Sequence, residues 1–170
     1  LRLLTVTGGT ALVPLTYLVG RRLFSSHVGM VAALFTALTT YQVYYSRYPR
    51  GYILLALFGL LAAYWLHRAL EDGRARWWVL HGLAVLLAVY THPYAFFLLP
   101  GLWGYGLWRC LRQPAMRPTF LMTVGLSLAA YLPWLGVSWG QWGQVRAGAD
   151  NWIEPASRDA LKTLYDWLWF

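Results

Sequence analysis

Residues 52–70 read YILLALFGLLAAYWLHRAL, and the fold class can be predicted from them. The run that precedes His67 is apolar or aromatic throughout. A straight helix needs about 20 such residues to cross the hydrocarbon core of a bilayer, and an open chain can satisfy its backbone there only as a helix. The stretch therefore predicts a transmembrane α-helix.

The rest of the chain repeats this pattern. Of its 170 residues 59% are hydrophobic and only 12% charged, which is too apolar for an ordinary soluble domain. Apolar segments are predicted at residues 3–19, 28–45, 52–70, 77–90, 94–108 and 120–139. The second, third and sixth are long enough for a straight crossing, whereas the fourth and fifth are short and predict tilted, shielded or partly inserted helices. The fold class expected is all-α, a polytopic transmembrane helical bundle of about six spans.

Two regions are predicted along the chain. Residues 1–140 form the helical bundle, and residues 141–170 form an extracytoplasmic loop and the start of a further, amphipathic helix. Ser157 is a suitable N-cap for that helix, in which apolar residues recur at three- and four-residue spacing. Because the sequence opens on Leu1 without a methionine, we expect a further segment before it.

Basic residues in the gaps predict the orientation, since cytoplasmic loops carry the excess of arginine and lysine. One side collects Arg21, Arg22, Arg68, Arg74, Arg76, Arg109, Arg112 and Arg117; the other has Arg47, Arg50, Arg146, Arg158 and Lys162. The first side is predicted to be cytoplasmic. In a plasma membrane or endoplasmic reticulum, the gaps around Arg50 and His92 then face the periplasm, the exterior or the lumen.

The composition excludes several function classes. The arginines are spread through short gaps and form no stripe of the kind that nucleic-acid binding needs. The single cysteine, Cys110, gives no disulfide framework. No second histidine or carboxylate lies near His92 at the spacing of metal ligands, so no metal site is predicted. The sequence leaves open whether the protein needs a divalent metal and what its oligomeric state is. No nucleotide-binding or nucleophile motif occurs, so any donor substrate is expected in the lipid.

The gap at residues 44–52, YYSRYPRGY, is the first candidate site. Pro49 disfavours helix at the residue before it, and Gly51 permits a tight return into the next segment. Arg50 then lies near a helix N-terminus, where free amides and the helix dipole favour an anion. An arginine side chain stays charged, and its planar guanidinium can donate two parallel hydrogen bonds to a phosphate. Arg50 and Arg47 therefore predict a phosphate site. The alternative is that both arginines extend to lipid headgroups.

Two further polar clusters face the same predicted side. Residues 90–94, YTHPY, form another proline-broken turn, whose His92 imidazole can donate to a sugar hydroxyl or a phosphate. A lone histidine is also typical of an interfacial residue bonded to backbone and water. The third cluster, found in carbohydrate-binding and ordinary interfacial loops alike, contains Gln141, Trp142, Gln144, Arg146, Asp150, Asn151, Trp152 and Glu154.

In this order and spacing, the residues resemble the membrane glycosyltransferases of the GT-C fold, specifically the family 39 group of protein mannosyltransferases and aminoarabinose transferases. The matching motifs are GRRLF at 20–24, YSRYPRGY at 45–52, YTHPYAFF at 90–97, PWL at 133–135 and WIEPAS at 152–157. The resemblance covers nearly the whole chain. In the second motif the family often reads Tyr-Ser-Gln-Glu-Ala-Arg-x-Tyr. Arg47 and Tyr48 replace the common glutamine and glutamate, so this sequence has no carboxylate at that position. Pro93 alters the turn after His92.

The resemblance implies an inverting enzyme that transfers a sugar from a polyprenyl-phosphate donor to a lipid, glycan or protein acceptor outside the cytoplasm. Side chains expected at the donor phosphate are Arg50, Arg47 and Tyr52; those expected to position substrates are Tyr45, Ser46, His92, Tyr94 and Trp152. The catalytic aspartate would lie in a loop before Leu1, so no catalytic residue is assigned within the sequence. The chain alone is expected to be inactive.

Two other classes remain as alternatives. A polyisoprenoid-lipid flippase or other transporter would hold a lipid phosphate without breaking a bond, and it predicts charged or broken positions in mid-span. Here the charges lie at span ends. A non-catalytic membrane subunit would tolerate the exchange of Arg50 for lysine, which a bidentate phosphate site would not.

Overall fold

The computed structural model describes residues 2–48 and 50–146. These residues form the helices α1 (Arg2–Leu23), α2 (Ser26–Leu38), α3 (Thr40–Arg47), α4 (Tyr52–Asp72), α5 (Ala75–Thr91), α6 (Leu99–Arg112) and α7 (Arg117–Arg146). Short 3-10 turns lie at Pro93–Phe97 and Pro114–Met116. The described part of the chain contains no strand. The predicted all-α class is confirmed.

The helices suit a bilayer in length and composition. Arg2–Leu23, Tyr52–Asp72 and Pro114–Val137 are long and apolar enough to cross a membrane, and α2 and α5 are apolar but shorter. Large apolar side chains cover much of the outside, among them Leu3, 82% exposed, and Phe97, 81% exposed. Such a surface is stable in hydrocarbon and not in water. The protein is an integral membrane protein.

The prediction of one long second span is wrong. Residues 28–45 belong to two helices, since α2 ends at Leu38 and α3 begins at Thr40. Thr39 between them has extended backbone, with φ −65° and ψ 124°. Its hydroxyl donates to the Phe35 carbonyl oxygen over 2.5 Å. Its backbone N–H also donates to that oxygen, over 2.9 Å, so Thr39 closes the last turn of α2.

α4 is the central helix and packs against α1, α3, α5 and α6. Its buried residues Ala62 and Ala69 are small, so α5 comes close. On α5 the imidazole of His81 is fully buried, with Nδ1 2.9 Å from the Ala62 carbonyl oxygen. The core is thus built along α4, whose N-terminus carries the candidate site described below.

Ion pairs and hydrogen bonds join the C-terminal end of α4 to α1 and α5. Arg22 Nη2 lies 2.8 Å from Glu71 Oε2, which joins the C-terminal ends of α1 and α4. Asp72 Oδ2 accepts from Arg68 over 2.8 Å and from the Trp77 indole over 3.0 Å, which adds the start of α5. These arginines were predicted to share one side of the membrane, and they share one end of the bundle. Which side is cytoplasmic stays a prediction.

Two compact units divide the chain, Leu1–Tyr131 and Leu132–Phe170. The described part of the second unit, residues 132–146, continues α7. The predicted domain boundary at residue 140 stays a prediction. Trp152 and the predicted helix after Ser157 lie outside the described residues.

Candidate functional site

The first turn of the site lies between α3 and α4 and carries Arg50. α3 ends at Arg47, and Tyr48 has extended backbone with φ −87° and ψ 126°. The Arg50 amide donates to the Tyr48 carbonyl oxygen over 2.8 Å, and α4 starts from Gly51. The Arg50 side chain is exposed, with its guanidinium carbon 5.4 Å from the centre of the Tyr48 ring. Arg50 therefore stands directly before a helix N-terminus, where an anion is favoured.

The second turn follows α5 and carries His92. α5 ends at Thr91, and His92 has extended backbone before Pro93 opens the 3-10 turn. The Tyr94 amide donates to His92 Nδ1 over 3.1 Å. Because Nδ1 accepts this bond, the neutral imidazole carries its proton on Nε2. The turn thus selects one tautomer and leaves Nε2–H as the donor of the ring.

The two turns meet at Gly51 and Thr91. A Cβ added to Gly51 would lie 2.8 Å from the carbonyl oxygen and 2.8 Å from Cγ2 of Thr91. Such an approach to a backbone atom is far inside van der Waals contact, so only glycine fits without a shift of the backbone. This contact holds the start of α4 against the end of α5.

Aromatic rings extend from this junction. The Tyr52 ring centre lies 4.6 Å from that of His92, 5.1 Å from that of Tyr45 and 6.3 Å from that of Tyr94. His92 and Tyr94 are 4.7 Å apart. Tyr44 adds contacts of 5.2 Å to Tyr45 and 5.3 Å to Tyr48. We call Tyr44, Tyr45, Tyr48, Tyr52, His92 and Tyr94 the aromatic cluster; it joins the first two polar clusters of the sequence in one site.

Positive charge beside the aromatic cluster is uncompensated within residues 2–48 and 50–146. Glu71 and Asp72 are the only acidic side chains in that part of the chain, and both pair with arginines at the C-terminal end of α4. At 1.5 Å per residue, α4 separates that end from the site by about 30 Å. Arg47 and Arg50 therefore meet no carboxylate among these residues, and an anionic ligand would find both charges available.

Two hollows flank the aromatic cluster. The larger has a volume of about 820 Å³, and Tyr52 and Tyr94 line it together with apolar residues of α4 and α6. The smaller has about 390 Å³ and is lined by Thr40, Val43, Tyr44, Arg47 and Tyr48. Arg47 therefore lines the smaller hollow, and the Arg50 guanidinium lies over Tyr48, which lines the same hollow. The described residues hold no group of three metal-ligating side chains.

His92 adds a neutral donor to this site. Partial burial lowers the pKa of His92 below its ordinary value, which is about 6.5. Charging the ring would cost desolvation, and protonation of Nδ1 would remove its bond to the Tyr94 amide. The site therefore combines two permanent cations with an uncharged imidazole at pH 7.

The structure places Ser46 against α1. Its hydroxyl donates to the Gln42 carbonyl oxygen over 2.6 Å, and a Cβ added to Gly9 would overlap Ser46 Oγ. The Gln42 amide in turn donates to the Gly9 carbonyl oxygen over 3.1 Å. These polar groups tie α3 to α1. The role of Ser46 in substrate positioning stays a prediction, as does that of Trp152, which lies outside the described residues.

Sequence reasoning missed two parts of the site. The first is the ring stack along α3, although Tyr41, Tyr44, Tyr45 and Tyr48 recur at the spacing that places side chains on one helical face. The second is the close approach of Gly51 to Thr91, for which a single sequence carries no signal.

Comparison with protein families gives one match. The model for dolichyl-phosphate-mannose-protein mannosyltransferase matches residues 1–139, a range that includes both turns and every residue of the aromatic cluster. Comparisons with curated proteins and with solved structures give no match. The family consists of membrane glycosyltransferases of the GT-C type. This protein therefore belongs to the dolichyl-phosphate-mannose-protein mannosyltransferase family.

Proposed function

We propose that the intact protein transfers a sugar, with inversion, from a polyprenyl-phosphate donor to a lipid, glycan or protein acceptor on the extracytoplasmic side of the membrane. The observation that carries the proposal is the position of Tyr52. Its ring contacts Tyr45, on the helix that leads into the first turn, and both His92 and Tyr94 of the second turn. A cationic turn and a hydrogen-bonding turn thus form one site at one end of a membrane bundle.

Arg50 is assigned to the phosphate of the donor. It lies before the N-terminus of α4, it is exposed, and it has no carboxylate partner in the described part of the chain. A guanidinium binds two phosphate oxygens at once, and the helix end adds free amides. Arg47 adds a second charge from α3. The tyrosines supply hydroxyl groups and ring faces for a sugar, as interfacial aromatic residues do.

The chemistry of the step explains why this charge matters. As the acceptor oxygen attacks the anomeric carbon, the bond from that carbon to the phosphate oxygen breaks and its electron pair leaves with the phosphate. The polyprenyl phosphate gains negative charge, which Arg50 stabilises more in the transition state than in the bound donor. The acceptor proton passes to a general base, a role that no carboxylate of the described residues near the site fills. His92 donates through Nε2–H and positions the substrates.

Substitution of Arg50 in the intact protein tests this assignment. With dolichyl-phosphate mannose as the first donor tried, Arg50→Ala should lower kcat/KM for sugar transfer about a hundredfold, roughly 3 kcal/mol in the barrier. Arg50→Lys should recover only part of this loss, because an ammonium cannot form two parallel bonds to a phosphate.

Arg74→Ala is the matched control. Arg74 is exposed at the start of α5, at the opposite end of the bundle, so its removal should leave sugar transfer unchanged. The assignment is wrong if Arg50→Ala transfers the sugar at the wild-type rate.

A further inference from the structure

The end of the bundle opposite the aromatic cluster is strongly cationic. The buried residues Leu70, Trp78 and Cys110 pack into one cluster there, which brings the C-terminal ends of α4 and α6 to the start of α5. We propose that Arg76 on α5 and Arg112 on α6 bind the headgroup phosphates of anionic phospholipids in the leaflet at this end. Both positions lie at the other end of the bundle from the candidate site for sugar transfer.

Positive charge at this end exceeds what the described carboxylates compensate. Eight arginines lie there at helix ends and in the gaps between helices, against two acidic residues. Glu71 pairs with Arg22 over 2.8 Å, and Asp72 pairs with Arg68 over 2.8 Å. The other six guanidinium groups have no carboxylate partner in the described part of the chain. An anionic lipid headgroup complements such a surface, whereas a zwitterionic headgroup carries a positive charge of its own.

Two of these six guanidinium groups lie against tryptophan rings. The guanidinium carbon of Arg76 is 4.5 Å from the centre of the Trp77 ring, and that of Arg112 is 4.5 Å from the centre of the Trp108 ring. Both arginines are exposed. A guanidinium packed on a ring keeps the N–H groups at its edge free, and two of them can bond to one phosphate. The rings therefore orient the two cations and leave their donors available.

An exposed row of apolar side chains continues from each arginine toward the middle of the membrane. On α5, Val79 and Leu83 follow Arg76 at three- and four-residue spacing, so they share its side of the helix, and both are exposed. On α6, the exposed rings of Trp108 and Tyr105 lie one and two turns before the arginine.

This order of charge and apolar surface identifies a lipid as the ligand. A phospholipid whose phosphate bonds to the guanidinium lays its acyl chains along the apolar row below it. A soluble polyanion has no apolar part that would cover this row. The two positions thus fit a phospholipid with a net negative charge.

Photo-crosslinking of the intact protein in phosphatidylcholine nanodiscs tests the proposal. The probe is phosphatidylglycerol with a diazirine in one acyl chain, and the comparison is phosphatidylcholine with the same diazirine. Crosslinks mapped by mass spectrometry should fall on residues 76–87 and 105–112. The phosphatidylglycerol probe should label them about fivefold more strongly, as expected for a basic side chain near an anionic headgroup.

Substitution of the arginines identifies the groups responsible. Arg76→Gln should lower the phosphatidylglycerol labelling of residues 76–87 to the level of the phosphatidylcholine probe, because the charge is lost. Arg76→Lys, which keeps the charge, should retain most of the preference. Equal melting temperatures in phosphatidylcholine would show that the variants fold like the wild type.

Arg2→Gln is the matched control. Arg2 is exposed at the start of α1, at the other end of the bundle, so its loss removes the same charge and should leave the labelling unchanged. Equal labelling of the wild type by the two probes would overturn the proposal and point to a soluble acidic partner for these arginines. A full preference for phosphatidylglycerol in Arg76→Gln would also overturn it.

Discussion

The turn that carries His92 keeps the imidazole of this residue neutral. Its Nδ1 accepts the Tyr94 amide hydrogen over 3.1 Å, and its ring packs between Tyr52 and Tyr94. Partial burial lowers the pKa of His92. Both the hydrogen bond and the burial favour the neutral ring, so protonation should weaken the turn that carries it.

The pH dependence of stability tests this interpretation of His92. In the unfolded chain the His92 ring takes up a proton near pH 6.5, and in the folded protein it does so only at lower pH. His92 therefore makes its full contribution to the free energy of unfolding above about pH 6.5. It is lost as the pH falls from there through the lowered pKa. We expect His92→Asn, which keeps an acceptor for the Tyr94 amide and does not titrate, to show a smaller loss of melting temperature in acid than the wild type.

His92→Ala provides the comparison for that experiment. It removes the acceptor and should lower stability by about 1 kcal/mol at neutral pH, as loss of a capping side chain does, and by less in acid, where protonation removes the same bond from the wild type. If His92→Asn retains the full acid sensitivity of the wild type, another group is responsible.

At the scale of elements, glycines set how closely the helices approach. α1 and α2 pack where Gly20 faces Gly29. A Cβ added to Gly29 would lie 2.6 Å from the Tyr17 carbonyl oxygen and 2.6 Å from the Arg21 amide nitrogen. Both neighbours are backbone atoms and cannot rotate away, so the two helices must separate to admit any side chain.

Gly29→Ala should therefore destabilise the protein. The expected cost is roughly 1–3 kcal/mol, as for other additions to a tightly packed site. Thermal unfolding in detergent measures it, with Gly125→Ala on α7 as the control. An added Cβ at Gly125 meets nothing within 4 Å, so that variant should match or exceed the wild type. Equal melting temperatures for the two variants would refute the packing argument.

At the scale of the whole molecule, charged groups mark the two ends of the bundle within Leu1–Tyr131. Arg22, Glu71 and Asp72 meet at one end, and the aromatic cluster lies at the other. The excess of arginine in the gaps at the first end predicts that it faces the cytoplasm. The site would then face the opposite compartment, as the proposed transfer requires.

Cysteine labelling in intact cells tests this orientation. The native Cys110 is fully buried, so its background labelling should be low, and Cys110→Ala removes it. A membrane-impermeant maleimide should label Tyr48→Cys at once, but Arg74→Cys only after permeabilisation. The reverse pattern would invert the predicted topology and place the site in the cytoplasm.

The helical membrane fold and two residues of the candidate site can be predicted from the sequence. Long apolar runs predict membrane helices because hydrocarbon leaves the backbone no other partners, and glycine and proline mark the turns before Gly51 and at His92. Arg50 and His92 were found as candidates because a charge or an imidazole between apolar runs needs a partner. These are local properties, and a sequence records them directly.

Other features depend on how the helices pack against one another. The break at Thr39 divides a run that is apolar by composition. The contact of Gly51 with Thr91, the packing of Tyr52 on His92 and the larger hollow beside the aromatic cluster depend on which helix faces which. Such pairings arise from side-chain packing between segments far apart in the chain, and no single segment of the sequence records them.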